Sequence, residues 1–452
     1  MPVHAEDTPV NIPSRLLLVG LVDGRQAAIE RNDVRLHLQQ LHEVKDQLGD
    51  RFEAVVEAHT GSDSTRGKAV GGLLKTLLPA GLAAGVALGL GSLTGGLGLA
   101  LLGAPVVWGG ARQLKEWAEL PRWQGRKTFH IGQGEVERGS QAPAARPLVE
   151  RLGQAMRDYP GSRTVMLVGG HGLGYYTSAG MPMHELGQAM QTLEQPVDIA
   201  LFDSCLMGNV EALAQLGDRA RIAITAEGLM PTQRSQLGAM PLADMLKAAA
   251  QSGDLAGAAR QMVEQAADSM LEQRGPDSEK VATLRQELAQ ETDPDLKRIN
   301  KTLLDIYAPP IPGLAAVDLQ ALQQGLLPAL DRLGRQLTQQ LQQGQLQPIL
   351  AAARQSQLSD SKAFHDLGSF LQQLGSPEAQ QAAEALQAAL LAQRSEEGSG
   401  FSGLSIQLLP LEVAPEGTRV EGDPISQPHD LKGLPQGWVE FTHAFKRALA
   451  RP

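Results

Sequence analysis

Cysteine is almost absent from this sequence. Cys205 is the one thiol in 452 residues, which excludes an intramolecular disulfide framework and any cysteine-cluster metal site. Strong basic runs are missing as well. Forty Lys and Arg against fifty Asp and Glu leave a formal charge of −10, a poor basis for gripping a nucleic-acid backbone. Such a balance leans weakly toward cationic partners. Residues 1–13 lack the basic start and apolar core of a secretory signal peptide. A reducing cytoplasm, where a free thiol survives, is the expected location. Disorder throughout is excluded too: 42% hydrophobic and 20% charged residues are ordinary for a globular chain.

Length allows one to three domains at a prior of about 150 residues each. Residues 1–13 read as a tail, 14–235 as an α/β core, and 236–452 as a helix-rich region with strands that complete the sheet. In the first part, short apolar runs alternate with helical spacing. Strands are expected at Arg15–Val22, Phe52–Ala58, Lys127–Ile131, Thr164–Val168, Val197–Phe202 and Arg221–Thr225. Helices are expected at Val34–Leu48, Pro147–Tyr159, Met183–Leu193 and Leu206–Leu216. That alternation predicts a mostly parallel sheet with helices on both faces. Later, Leu314–Val317 and Gly403–Leu409 read as strands, and Gly437–Leu449 as a closing amphipathic helix.

Glycine is in surplus, 49 residues or close to 11% against a usual ~7%. Much of the excess lies in one place. Residues 76–111 carry no charge at all, and Gly81, Gly85 and Gly89 recur every fourth residue. That small-xxx-small spacing lets apolar helices approach closely in lipid, and the stretch exceeds the ~20 residues one span needs. Lys68 and Lys75 precede it, and Arg112, Lys115 and Arg122 follow it. Basic flanks favour a hairpin with both ends cytoplasmic. The same residues could instead form a helical hairpin packed on the protein, or a glycine-rich loop between strands.

Open α/β sheets place ligands beyond the carboxyl ends of their strands. Two successive strands here end in His171-Gly172 and in Asp203-Ser204-Cys205. A histidine and a cysteine brought to one edge could serve as base and nucleophile. With a helix expected from Leu206, Cys205 would sit at its N-terminus, where the dipole and an imidazole favour the thiolate. Gly172 and Cys205 could offer backbone N–H groups to an oxyanion. Alternatively, Cys205 is a small buried hydrophobe and Asp203 a helix cap. His37, His42, His59, His130, His184 and His365 read as surface or packing residues rather than metal ligands.

TVMLVGGHGLG followed by VDIALFDSCLMGNVEALAQL resembles the clostripain-like cysteine peptidases, family C11 of the caspase-like clan. LLLVGLVDG, ITAEGLMP, LAAVDLQAL, FHDLGSFLQQL, GLSIQLLP and the terminal GWVEF fit the family's order along nearly the whole chain. The resemblance implies a caspase-like α/β/α sandwich. It implies His171 as general base, Cys205 as the nucleophile that forms a thioester, and Gly172 with Cys205 as oxyanion donors. It further implies that Asp203, two residues before the cysteine, receives a basic P1 side chain, with Glu227 as a second acidic candidate. A carboxylate there suits Arg or Lys. Substrates would be proteins or peptides with Arg or Lys at P1. No cofactor is required, although calcium serves some relatives; no spaced ligand loop is visible.

Two features depart from the family. Some members are activated by a cut at a basic residue between histidine and cysteine, yet residues 164–218 contain no Lys or Arg. Any self-cleavage must fall elsewhere, for example at Arg163, Arg234 or Arg274. The uncharged insertion is the other departure, and it suggests an intracellular enzyme attached to the inner face of a membrane. One rival reading is a membrane-inserting or oligomerising module on a peptidase-like scaffold. Another is a thiol esterase or acyltransferase using the same pair of residues.

Overall fold

The computed structural model describes most of residues 15–60, 123–172, 174–230, 240–272, 311–408 and 433–449, with scattered positions between 283 and 296. An unbroken apolar run opens the fold. Strand β1 (Leu16–Gly24) is buried at every position, as a strand covered on both faces must be. It pairs in parallel with β2 (Phe52–Thr60) on one side and β5 (Arg163–Gly169) on the other. Strands β6 (Val197–Asp203) and β7 (Ala220–Ala226) continue the parallel run. Antiparallel strands finish both edges: β3 (Gly125–His130) and β4 (Gly134–Gly139) beyond β2, and β8 (Leu314–Asp318) and β10 (Leu390–Arg394) beyond β7. The order is β10-β8-β7-β6-β5-β1-β2-β3-β4. This is the mostly parallel α/β sheet that the alternation predicts. Strand β4 was not foreseen, because GEVERG is polar and lies at an edge.

Helices follow in sequence as α1 (Ala28–Leu48), α2 (Ala145–Asp158), α3 (Met183–Met190), α4 (Val210–Leu213), α5 (Leu242–Gln251) and α6 (Leu255–Glu272). The C-terminal half adds α7 (Leu327–Gln342), α8 (Leu346–Ser356), α9 (Leu367–Leu374), α10 (Pro377–Ala389) and α11 (Gln436–Leu449). Alternate strand residues point to opposite faces, so the sheet carries two cores. Leu17, Val19 and Phe202 pack with Leu152 of α2, Leu186 of α3 and Leu333 and Phe441 of α7 and α11. Leu18, Leu167 and Leu201 pack with Val44 of α1, Leu246 of α5 and Met262 of α6. Each such buried side chain contributes about 1.5–3 kcal/mol relative to exposure. Residues on both sides of position 235 therefore share the same cores.

The late strand expected at Gly403–Leu409 is present as β11 (Ser405–Gln407). It does not enter the main sheet: it pairs antiparallel with β9 (Phe364–Asp366) as a separate ribbon. The uncharged stretch 76–111 lies outside the described residues. Among the described residues no helix is long and apolar enough to cross a membrane. What flanks the stretch is well placed. Thr60 pairs with Gly125 in the β2–β3 ladder, and the Thr60 hydroxyl donates to the Trp123 carbonyl. Residues 61–122 thus leave and re-enter at the carboxyl end of β2. Because β1, β2, β5 and β6 are parallel, that is the same sheet edge at which His171 and Cys205 follow their strands.

Candidate active site

Register brings the two strand ends together. Gly169 of β5 stands opposite Asp203 of β6, and the Gly170 N–H donates to the Asp203 carbonyl at 3.0 Å. His171 and Cys205 each lie two residues beyond that pair, so one sheet edge presents both. The next contact is tighter still. A Cβ built on Gly172 would fall 2.0 Å from the Cys205 carbonyl oxygen, so only glycine allows these backbones to meet. His171 is exposed, while Cys205 is 8% exposed. The Cys205 sulfur accepts the Met230 N–H at 3.2 Å, an interaction that favours a thiolate over a thiol.

The segment after the histidine is also fixed. Gly172 bridges to Thr177 and Tyr176 to Pro182, and the Met183 N–H donates to the Tyr175 carbonyl at 2.9 Å. Tyr175 is fully buried and stacks on His184. Gly174, with φ +74, packs against Phe364 of β9.

The helix after Cys205 starts later than expected. Leu206 adopts φ 58, a left-handed conformation unfavourable for a side chain with Cβ. A turn follows, in which the Leu206 N–H donates to the Gly228 carbonyl and the Gly208 N–H to that of Ala226. Helix α4 begins at Val210, capped by the Asn209 side chain, which accepts the Ala212 N–H at 2.8 Å. Cys205 is therefore not at a helix N-terminus, contrary to expectation, and gains nothing from a helix dipole. Asn before Val-Glu-Ala was the missed signal, since Asn is among the best N-caps.

Asp203 is not a helix cap either. It is 2% exposed. Its Oδ2 accepts the His37 Nε2–H at 2.7 Å and the Met240 N–H at 3.3 Å. Its Oδ1 is buried and takes no hydrogen bond from the described residues. His37, expected to be a surface or packing residue rather than a metal ligand, is packed inside at 1% exposed, and beyond that expectation it holds the carboxylate two residues before Cys205. The available signal was its place on the core stripe Val34, Leu41, Val44 and Leu48 of α1, all buried.

Glu227 sits elsewhere than expected. Its Oε2 accepts the Gly403 N–H at 2.8 Å, and Asp366 of β9 lies beside it. Burial first, then the neighbouring Asp366 carboxylate, push its pKa well above the ordinary value. Its Oε1 is buried with no hydrogen-bond partner among the described residues, and the raised pKa favours the neutral carboxyl, which offers little charge to the substrate cation expected there. Asp366 in turn accepts the Ser369 and Ser402 N–H groups, both at 2.6 Å. Among the other histidines, His59 is buried on Glu57, His130 bonds Glu53, and His365 Nδ1 meets the Ala353 carbonyl. His42 is exposed. Among the described residues no group of three or more His, Cys, Asp or Glu is placed to hold a metal ion. Arg163, one of the expected self-cleavage positions, is buried and donates to the carbonyls of Ala249 and Ser252. Arg234 and Arg274 lie outside the described residues.

The sequence model of the clostripain family matches residues 169–274, the span that contains His171, Asp203, Cys205 and Glu227. No curated protein matches the chain. Among solved structures, a secreted C11 cysteine protease from Bacteroides thetaiotaomicron is similar at 11% identity and TM-score 0.52, covering 88% of this chain and 94% of its own. A secreted C11 cysteine protease from Bacteroides thetaiotaomicron in complex with an irreversible peptide inhibitor is similar at 13% identity and TM-score 0.52, covering 96% of this chain and 99% of its own. An inactive zymogen C11 protease from Parabacteroides distasonis gives 11% identity, TM-score 0.53, and 88% and 92% coverage. At such identities the likeness speaks to the fold. The clostripain family's sequence pattern thus covers the two strand ends of a fold that is similar to that of C11 cysteine proteases.

Proposed function

We propose that the protein is an endopeptidase with Cys205 as nucleophile and His171 as base, cutting after basic residues. The observation that carries this reading is the packing of Gly172 on the Cys205 backbone, beside the paired ends of β5 and β6. In the proposed reaction His171 takes the thiol proton and the sulfur attacks the scissile carbonyl carbon. The carbonyl oxygen becomes an oxyanion, stabilised by the N–H groups of Gly172 and Cys205. As the intermediate collapses, His171 returns the proton to the departing amine, leaving a thioester. Water, deprotonated by His171, then releases the acid and restores the thiol. Asp203, with its orphaned Oδ1, supplies the negative charge for a P1 Arg or Lys.

Fluorogenic peptides with Lys, Arg, Asp or Ala at P1, given to wild type and Cys205→Ala, test this reading. Turnover of basic substrates by the wild type alone is expected. Equal turnover by both proteins would remove Cys205 from the reaction, and a preference for Asp at P1 would remove Asp203 from its role.

A second reading concerns location. We propose that residues 76–111 contact lipid at the cytoplasmic face of a membrane, a reading supported by their lack of charge and basic flanks. Since residues 61–122 join the fold at the catalytic edge, lipid contact would bring the site close to the bilayer. Co-sedimentation with anionic vesicles of the full chain and of a 70–111 deletion tests it. Both proteins staying in the supernatant would refute lipid contact.

A further inference from the structure

Helix α1 reaches across one face of the sheet to the catalytic strands, and two of its residues act there. His37 donates Nε2–H to Asp203 Oδ2 at 2.7 Å. Its ring fills the space over the end of β5, so that a Cβ on Gly169 would come within 3.1 Å of Nε2. Gln40, one turn on, donates to the Met240 carbonyl at 3.5 Å and accepts the Ala243 N–H at 3.0 Å. The Met240 N–H in turn donates to the same Oδ2 at 3.3 Å. Both fixed donors therefore converge on one carboxylate oxygen. Oδ1 is left buried with no partner among the described residues.

We propose that His37 is a specificity-determining residue: by holding Oδ2, it leaves Asp203 a single free acceptor and makes the enzyme prefer Lys over Arg at P1. This rests on Asp203 being the P1 receptor. An arginine fork binds a carboxylate best through two parallel N–H···O bonds, one to each oxygen. With Oδ2 taken, that mode is closed. A lysine ammonium is a compact charge whose donors rotate freely, and it loses little by meeting one oxygen. His37 acts through Asp203, so it is a positioning residue and not a catalytic one.

The test compares kcat/KM for matched peptides that differ only in Lys, Arg or norleucine at P1. Wild type should favour Lys over Arg by tenfold or more, and both over norleucine. In His37→Ala the Lys/Arg ratio should fall at least fivefold, because Oδ2 opens to the fork. His37→Asn, too short to reach Oδ2, should follow Ala, whereas His37→Gln should restore the wild-type ratio. The ratio is read within one protein sample, so partial misfolding of a variant lowers both rates and leaves it unchanged. If Ala does not fold, the Asn and Gln pair carries the comparison. A basic preference with Arg equal to or above Lys, or a ratio unmoved in both Ala and Asn, overturns the role of His37 and leaves Asp203 as receptor. No preference for either base over norleucine overturns the Asp203 reading itself, and this inference with it.

Discussion

Replacing Gly172 by alanine adds one methyl group where the backbones of the two segments proposed to be catalytic meet. The added Cβ would lie 2.0 Å from the Cys205 carbonyl oxygen, and 3.0 Å from both its carbonyl carbon and its nitrogen. Real Cβ contacts stay at 3.0 Å or more, so the two segments must separate by about 1 Å. The obstacle is backbone on both sides, and no flexible side chain can swing away to absorb it. Reacting groups need placement to better than that, and a 1 Å displacement can cost about 100-fold in rate. We therefore expect Gly172→Ala to lower kcat/KM about 100-fold or more on a P1 Lys peptide, equivalent to ~3 kcal/mol of transition-state stabilisation. Gly325 serves as the control: it has room for a Cβ and lies within the helical run that leads into α7. Gly325→Ala should leave kcat/KM unchanged and add up to about 1 kcal/mol of stability. Thermal melts on both variants separate local displacement from unfolding. A folded Gly172→Ala enzyme with wild-type kcat/KM would refute the claim that this backbone contact sets the site.

Two buried groups give opposed pH dependences. Burial raises the Glu211 pKa to about 7, so its contribution to stability is full below pH ~4.5 and is lost as pH rises through 7, on the order of 3 kcal/mol in all. Burial lowers His365 to about 4, so its contribution is full above pH ~6.5 and is lost as pH falls toward 4, by a similar amount. Urea melts from pH 4 to 8 should show a nearly flat wild type, a Glu211→Gln variant that gains stability with rising pH, and a His365→Gln variant that loses it. Parallel profiles for all three proteins would contradict both assignments. Burial and the neighbouring Asp366 raise the Glu227 pKa, so its contribution is lost only as pH rises through that raised value; Glu227→Gln should outlast wild type in alkaline melts. Any self-cleavage product seen by intact-mass comparison of wild type and Cys205→Ala should not end at Arg163, whose guanidinium is tied to the α5–α6 junction.

The strands that carry the site were legible because a buried parallel strand leaves an apolar run that nothing else imitates. The expected and observed bounds of β1, β5, β6 and β7 differ by at most two residues at either end. The convergence of His171 and Cys205 was legible for the same reason: parallel neighbours deliver their carboxyl ends to one edge. What escaped were contacts made across long sequence separations. His37 lies 166 positions from Asp203, and helical spacing places it on a core stripe without saying what it meets there. Glu227 showed only that a carboxylate follows β7; that it faces Asp366, 139 positions later, depends on the β9–β11 ribbon. The turn at Leu206 was hidden by a backbone strain that no propensity scale contains.

That ribbon also explains why an α/β core of this kind carries a long C-terminal half. The turn after Cys205 has no partner within its own strand. The Ser405 N–H donates to the Gly208 carbonyl at 2.8 Å, and the Gly403 N–H binds Glu227 next to the Gly228 carbonyl that receives Leu206. In the helix that follows the turn, Glu211 accepts the Trp438 Nε1–H at 3.3 Å, and both residues are fully buried. Left-handed Leu206 is the type of strained residue that persists only where its surroundings over-determine it. Here those surroundings come from positions 403–405 and 438 as much as from β7. A chain cut after residue 235 would retain every residue assigned to the chemistry and lose the contacts that hold the cysteine's turn in shape. Its two cores would also open, since Leu333, Phe441 and Val317 close one and Met262 and Leu314 the other. The C-terminal half is therefore part of the construction of the proposed active site, although no catalytic role is assigned to any of its residues.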